Sequence, residues 1–314
     1  MPDFHGLPAR TLGNAFLELD YLAEAGPRLV RLVALGSTER QNLLAETPGK
    51  GWPTPFGDYR LYGGHRLWHA PEGAPRSSVP DSAGLRVDEV AGGVRLSQPV
   101  EGPTGIAKSI EVRLCADRPA LTLTHRLRNH NLWPVELAPW AITQLRLGGV
   151  AVVPQPQEPV DQAGLQPNRR LALWPYASVR DPRLELHDDV VLVRGAGRRP
   201  PLKIGLEDRL GWAAYALGDV VLVRRFWPQP ERPHPDFGCN VEVYVDDAHL
   251  ELEVLGPLGR LEPGQDVRHV ECWEVLAGQG APADAEAVRR TLEAVKPYLA
   301  PLGDDEPAEF ASRA

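Results

Sequence analysis

The segment Leu121-Thr122-Leu123-Thr124-His125-Arg126-Leu127 alternates apolar and polar side chains without a break. Because successive side chains of a β-strand point to opposite faces, this alternation predicts a strand with one buried and one polar face. The same period of two recurs at 16–21, 28–33, 85–90, 94–98, 106–114, 190–193, 212–217, 220–226, 240–245, 250–254 and 267–275. Glycine- and proline-rich segments between these stretches predict turns. The chain is therefore predicted to be all-β, with about fifteen short strands in a large antiparallel sandwich.

One helix is predicted near the end of the chain. Ala285, Val288, Leu292, Val295 and Leu299 fall on one helical stripe, and Asp284 can cap its first turn. We therefore expect a short C-terminal helix over 284–300. Residues 1–303 are predicted to form a single domain that includes this helix, and residues 304–314 an acidic flexible tail.

Composition excludes several classes of protein. The 314 residues are 43% hydrophobic and carry a net charge of −8 without any basic run. This charge argues against nucleic acid or an anionic membrane as a partner, and no apolar stretch approaches the roughly 20 residues of a membrane span. The three cysteines, Cys115, Cys239 and Cys272, are isolated and odd in number. They predict reduced thiols in a cytoplasmic protein rather than a disulfide framework.

The segment Tyr62-Gly63-Gly64-His65-Arg66-Leu67-Trp68-His69-Ala70-Pro71-Glu72 concentrates chemically useful side chains. Imidazoles titrate near neutral pH, a guanidinium can grip two oxygens at once, and an indole offers an apolar face to a sugar ring. A Gly-rich turn leading into an edge strand is the structural alternative. The spacing of His65, His69 and Glu72 could suit a metal on a helix, but the neighbouring glycines and proline disfavour a helix there. We therefore predict no metal at this segment.

Several motifs resemble those of galactose mutarotase-like proteins. Gly26-Pro27-Arg28-Leu29-Val30 followed by Asn42-Leu43-Leu44 resembles the opening of that superfamily. Segments 250–253, 256–258, 261–264 and Glu271-Cys272-Trp273-Glu274 resemble the last sheet strands of the superfamily. The segment Gly63–Trp68 resembles one branch of the superfamily. The resemblance spans roughly residues 16 to 276. It implies a β-supersandwich of large antiparallel sheets with a sugar site on a concave face.

The resemblance also implies an activity, the interconversion of the α and β anomers of an aldose. A base takes the proton of the anomeric hydroxyl while an acid protonates the ring oxygen, so that the ring opens and can reclose as the other anomer. This chemistry requires neither metal nor organic cofactor. A small-molecule carbohydrate is therefore the expected partner, and the sequence leaves the oligomeric state open.

Only some of the family's catalytic residues have a counterpart in this sequence. Glu251-Leu252-Glu253 is the nearest match to the strand that bears the family's base, which makes Glu251 the candidate base with Glu242 as its competitor. Trp140 stands where the family places its acid histidine, so His65 or His69 is the candidate acid. The candidate catalytic residues are thus Glu251, His65 and Glu242. The candidate substrate-binding residues are Arg66, Trp68, His69, Trp140, Glu253 and Asn240.

Two alternatives to an epimerase stay open. A non-catalytic carbohydrate-binding or sugar-sensing protein of the same fold would explain the tryptophan in place of the acid histidine. A glycoside hydrolase needs two carboxylates about 5–9.5 Å apart, a separation that Glu242 and Glu251 on neighbouring strands could provide.

Overall fold

The computed structural model describes residues 3–279 and 284–302. The first twelve strands are β1 (Asp3–Phe4), β2 (Leu7–Gly13), β3 (Leu17–Leu22), β4 (Leu29–Ala34), β5 (Glu46–Thr54), β6 (Gly57–Gly63), β7 (His65–Ala70), β8 (Arg86–Val90), β9 (Gly93–Ser97), β10 (Ile106–Leu114), β11 (Ala120–Asn129) and β12 (Val135–Leu145). The others are β13 (Val150–Pro154), β14 (Leu171–Leu173), β15 (Leu184–Leu186), β16 (Val190–Arg194), β17 (Leu202–Leu206), β18 (Trp212–Leu217), β19 (Val220–Phe226), β20 (Val241–Val245), β21 (Leu250–Leu255), β22 (Gly259–Leu261) and β23 (Asp266–Ala277).

These strands form two large sheets and one separate hairpin. The first sheet has eleven strands in the order β1-β2-β3-β4-β7-β12-β21-β20-β17-β14, with β22 added beside β12. The second has ten strands in the order β15-β16-β13-β18-β19-β23-β11-β10-β9-β8, and β5 and β6 form a separate two-stranded sheet. Strand neighbours run antiparallel throughout, for example β12 with both β7 and β21. The prediction of an all-β antiparallel sandwich is confirmed.

The main core lies between the two sheets. Apolar side chains from the inward face of each strand meet there, among them Leu67 from β7, Leu252 from β21 and Leu123 from β11. Burial of such side chains is the main stabilising contribution to a sandwich of this kind. The opposite face of the first sheet carries a second cluster, in which Trp68, Trp140 and Ile142 pack with Tyr59 and Leu61 of the β5–β6 hairpin.

Gly63 and Gly64 join that hairpin to the sheet. Their φ angles are +104° and +69°, in the region that side chains disfavour. A Cβ at Gly64 would lie 1.8 Å from the carbonyl oxygen of Leu29, and one at Gly63 would lie 2.1 Å from that of Ala45. The two glycines therefore let the chain turn sharply and enter β7 against its neighbours.

The predicted C-terminal helix is present as Ala285–Val295, followed by a 3₁₀ turn at Lys296–Tyr298. The Asp284 side chain accepts a hydrogen bond of 2.8 Å from the amide of Ala287, as expected of an N-cap. Val288 and Val295 pack on the outer face of the second sheet. The predicted acidic tail at 304–314 lies outside the described residues, and among the described helices none is long and apolar enough to span a membrane.

Candidate functional site

A cavity of about 560 Å³ opens on the outer face of the first sheet, beside the β5–β6 hairpin. Aromatic and charged side chains make up most of its wall. The aromatic residues are Trp52, Trp68, Trp140, Tyr176 and Tyr244, and the ionisable ones are Lys50, Arg66, Glu72, Arg199, Lys203, Asp246, His249 and Glu251. Apolar ring faces interspersed with hydrogen-bonding groups suit a polyhydroxylated ring, which has apolar C–H faces and a polar edge.

Strand register brings these side chains together. Trp140 lies directly opposite Trp68, and Ile142 opposite Arg66, where β12 pairs with β7. On the other side of β12, Gln144 faces Glu251 and Ile142 faces Glu253. The row continues across β20 and β17 with Tyr244, Glu242 and Lys203. Because side chains alternate between faces along each strand, all of these residues share the outer face of the sheet.

Glu251 is one of three carboxylates that line the cavity, with Glu72 and Asp246. Its Oε1 atom accepts hydrogen bonds from Arg66 Nη2 at 3.0 Å and Gln144 Nε2 at 2.8 Å, and lies 3.4 Å from His249 Nε2. Burial alone would raise the pKa of Glu251, but Arg66 and His249 outweigh it and hold this pKa well below its usual range. Glu251 is therefore ionised at neutral pH, as a proton acceptor must be.

Lys203 connects the cavity to two more buried glutamates. Its Nζ atom lies 2.7 Å from Glu242 Oε2 and 3.2 Å from Glu253 Oε2. Burial would lower the pKa of Lys203, but the two carboxylates outweigh it and raise this pKa. Burial in turn raises the pKa of Glu242 and of Glu253, since one ammonium cannot neutralise both. Neither glutamate lines the cavity itself; both lie behind Lys203.

Trp68 and Trp140 form the aromatic wall. Their rings meet edge to face, with centroids 5.5 Å apart, and the Arg66 guanidinium lies 4.7 Å above the Trp68 ring. Trp140 donates to Glu253 Oε2 at 2.6 Å and Trp68 donates to the Tyr59 hydroxyl at 2.8 Å. Each indole is thus fixed at its nitrogen while part of its ring lines the cavity.

The structure does not bring His65 to this cavity. His65 points to the opposite face of β7, into the space between the sheets, where it is fully buried. Its Nδ1 atom lies 2.9 Å from Thr143 Oγ1 and its Nε2 atom 2.8 Å from His125 Nε2. Burial lowers the pKa of His65 well below its ordinary value. The sequence-based expectation that His65 shares a pocket with Glu251 is corrected, because adjacent strand residues point to opposite faces.

His69 and Asn240 also lie away from the cavity. His69 shares the inward face of β7 with His65, and its Nε2 atom is 3.5 Å from Glu101 Oε2. Asn240 instead holds a loop, accepting from the amide of Asp208 at 2.7 Å and donating to the carbonyl of Asp208 at 2.7 Å. Of the candidate residues, Arg66, Trp68, Trp140 and Glu251 therefore line the cavity, while His65, His69, Asn240, Glu242 and Glu253 do not.

Within the described residues, His125, His269 and Glu271 are the group whose ligand atoms could surround a metal ion, lying within 4.8 Å of one another. Arg224 already donates to both oxygens of Glu271, at 2.8 and 2.9 Å. A cation at this position would face a buried guanidinium. Arg224 also donates to the carbonyl of Ala141 in the first sheet at 3.2 Å, so this group of side chains links the two sheets.

His249 and Lys203 are cavity residues that the sequence analysis missed. A usable signal existed for His249, since it precedes Glu251 by two residues and must share its face of the strand. No comparable signal marked Lys203, because its glutamate partners come from strands distant in sequence.

Comparison with known proteins shows that this chain is similar in fold to several solved structures. No family model matches the chain, and no curated protein matches its sequence. A galactose mutarotase-like protein from Lactobacillus casei has a TM-score of 0.51 and 11% identity, covering 86% of this chain and 100% of that one. A candidate mutarotase from Salmonella typhimurium has a TM-score of 0.52 and 11% identity, with 86% and 91% covered.

A third structure, a TPR-domain containing protein from Parabacteroides distasonis, has a TM-score of 0.58 and 12% identity. The match covers 89% of this chain but 49% of that protein, so this chain corresponds to about half of it. At such identities the comparisons show architecture rather than activity. The chain has the galactose mutarotase-like β-sandwich fold.

Proposed function

We propose that the protein binds an aldose or a modified sugar in the cavity of the first sheet and interconverts its anomers by acid–base ring opening. The observation that carries this proposal is the position of Glu251, an ionised carboxylate in the same cavity wall as Trp68 and Trp140. The similarity of fold to a galactose mutarotase-like protein adds support.

The proposed binding mode follows from the cavity wall. The parts of Trp68 and Trp140 that line the cavity contact the apolar C–H face of the sugar ring. Charged and polar groups at the edge, including Arg66 and Tyr244, exchange hydrogen bonds with its hydroxyls. The ligand is a small carbohydrate, and neither nucleic acid nor a membrane is part of the proposed function.

The proposed chemistry assigns the base to Glu251. Its carboxylate accepts the proton of the anomeric hydroxyl as the bond between the anomeric carbon and the ring oxygen breaks. A base positioned in this way contributes roughly 10²–10⁴-fold to the rate. Glu242 is a weaker candidate, since it lies behind Lys203 and burial raises its pKa. Because Glu242 lies behind Lys203, the pair of Glu242 and Glu251 fits a glycoside hydrolase, which needs two carboxylates at the sugar, less well than an epimerase.

A non-catalytic sugar-binding protein is the second candidate function. One observation favours it: the Arg66 guanidinium, 3.0 Å from Glu251, weakens that carboxylate as a base. Trp140, at the position of the family's acid histidine, is consistent with the same alternative. Binding without accelerated anomer exchange would identify this function.

We also propose a cytoplasmic location. The three cysteines are free thiols, and Cys239 and Cys272 are buried. Reduced, unpaired thiols are typical of proteins from a reducing compartment.

The experiment is ligand-observed NMR with free, phosphorylated and acidic aldoses, in which one sample reports both binding and anomer exchange. We expect binding that weakens in Trp68→Ala and persists in Trp133→Ala, a matched control whose side chain is 61% exposed and lies outside the cavity. The absence of binding to any aldose, or equal loss in both variants, would contradict the proposed site.

A further inference from the structure

His249 lies directly before β21, at the end of the turn that leads out of β20. Asp246 organises this turn, because its Oδ1 atom accepts from the amides of Ala248 at 2.8 Å and His249 at 3.0 Å. The His249 side chain is buried apart from the part that lines the sugar cavity. Its backbone is therefore fixed, and its ring faces the proposed ligand.

Two carboxylates flank the imidazole of His249. Its Nδ1 atom lies 3.4 Å from Asp246 Oδ1, and its Nε2 atom lies 3.4 Å from Glu251 Oε1. Burial would raise the pKa of Asp246, but hydrogen bonds and nearby cations, including Lys50 at 2.9 Å, outweigh it and lower this pKa. Two ionised carboxylates therefore lie on either side of the His249 ring.

Gln144 completes the surroundings of the ring. Its Nε2 atom lies 2.7 Å from His249 Nε2 and 2.8 Å from Glu251 Oε1. A carboxamide can turn its nitrogen towards a neutral imidazole or its oxygen towards a protonated one. In the observed orientation the Gln144 nitrogen donates to Glu251 and suits a neutral His249 Nε2, the form of the ring after it has given up its proton. The Tyr244 ring, 6.0 Å away by centroid, packs beside His249.

We infer that His249 is the catalytic acid of this site, oriented by Asp246, in the role that the sequence analysis assigned to His65 or His69, neither of which lines the cavity. This inference rests on the proposed function. It requires that the acid and the base act on two oxygens bonded to one carbon, the anomeric hydroxyl and the ring oxygen. Two groups 3.4 Å apart satisfy this requirement, since each needs to approach one oxygen of the same acetal centre.

The proposed step conserves atoms and charge. Glu251 takes the proton of the anomeric hydroxyl, whose O–H electron pair becomes the second bond of the aldehyde carbonyl. The bond between the anomeric carbon and the ring oxygen breaks, and its electron pair takes the proton from Nε2 of the His249 imidazolium. The pair then consists of a neutral imidazole and a carboxylic acid. After rotation about the bond between the first two carbons, the reverse transfers close the ring as the other anomer.

The test measures anomer exchange by NMR with an aldose that binds the wild type, for His249→Ala and for His130→Ala, an exposed histidine outside the cavity. We expect exchange to fall roughly 10²–10⁴-fold in His249→Ala with sugar binding retained, and to be unchanged in His130→Ala. Added imidazole should restore part of the lost rate, which a purely structural role of His249 would not predict. Asp246→Asn should lower the rate without abolishing binding.

The outcomes separate this inference from the function on which it rests. Wild-type exchange rates in His249→Ala would overturn the assignment of His249 alone. A loss of rate that imidazole does not restore, together with full activity in Asp246→Asn, would also overturn it. No acceleration by the wild type would overturn the proposed function and the inference together.

Discussion

Replacing Lys203 by methionine tests the charge arrangement beneath the cavity. Lys203 is 6% exposed, and its ammonium is the cation that bridges Glu242 and Glu253 at 2.7 and 3.2 Å. Methionine preserves much of the side-chain length and its packing between the rings of Trp140 and Trp174, but removes the charge. The variant therefore leaves two buried carboxylates without their cation.

The expected loss is large because the carboxylates have no access to bulk water. Removing one partner of a buried ion pair costs about 3–5 kcal/mol of unfolding free energy, since the remaining charge is uncompensated. Here two carboxylates remain and repel one another, so we expect a value at the upper end of that range. An exposed pair such as Lys296 with Glu293 supplies the matched control, and Lys296→Met should change stability little.

The loss should also depend on pH. In the folded variant the pKa values of Glu242 and Glu253 lie above those of the unfolded chain, so the folded state binds protons more tightly. The corresponding stability is present at low pH and is lost as pH rises towards the folded-state pKa values. Lys203→Met should therefore recover stability relative to the wild type as pH is lowered.

Urea unfolding at several pH values measures both effects. Adding Glu242→Gln and Glu253→Gln to Lys203→Met should restore much of the unfolding free energy and flatten its pH dependence. A loss of less than about 1 kcal/mol, the range of surface ion pairs, would refute the reasoning. Equal losses at all pH values would refute the assignment of the effect to the two carboxylates.

Three further predictions concern stability. Trp140→Phe removes the 2.6 Å hydrogen bond to Glu253 and should lower the unfolding free energy in urea by about 1–3 kcal/mol, whereas Trp133→Phe at the surface should not. Burial raises the pKa of Asp208 from 3.8 to about 7, so the stability that protonated Asp208 contributes is present at low pH and is lost as pH rises from about 4 to about 7. Asp208→Asn should therefore remove this pH dependence from the unfolding free energy. Parallel pH profiles of wild type and variant would contradict the prediction. Asp284→Ala deletes the N-cap of the C-terminal helix and should lower the unfolding free energy, measured by thermal unfolding, by about 1 kcal/mol. Amide hydrogen exchange should become faster within residues 285–295. Unchanged exchange in these residues would refute the prediction.

The alternation of side chains was enough to predict the fold class, because burial of one strand face leaves a period of two in the sequence. The order of strands was not predictable in this way. β12 lies between β7 and β21, which are far from each other along the chain, and no local pattern specifies such pairing. Glu251 and Glu253 could be assigned to one face, but their neighbours could not.

His65 shows where local reasoning failed. The segment after Gly63 and Gly64 concentrates chemically useful side chains, which suggested that His65 and Arg66 could reach one ligand together. The chain instead enters β7 directly at His65, so that Arg66 and Trp68 face the cavity while His65 and His69 face inward. His249 could have been found by the same rule of alternation, from its spacing to Glu251.

The most direct measurement of the central claim is the rate of anomer exchange, by NMR, for the wild type and Glu251→Gln with the same bound aldose. Glu262→Gln, an exposed glutamate in a turn, serves as the control. The proposed function predicts that the wild type and Glu262→Gln accelerate exchange, and that Glu251→Gln binds the sugar but loses roughly 10²–10⁴-fold in rate. Exchange at the wild-type rate in Glu251→Gln, or no acceleration by the wild type, would contradict it.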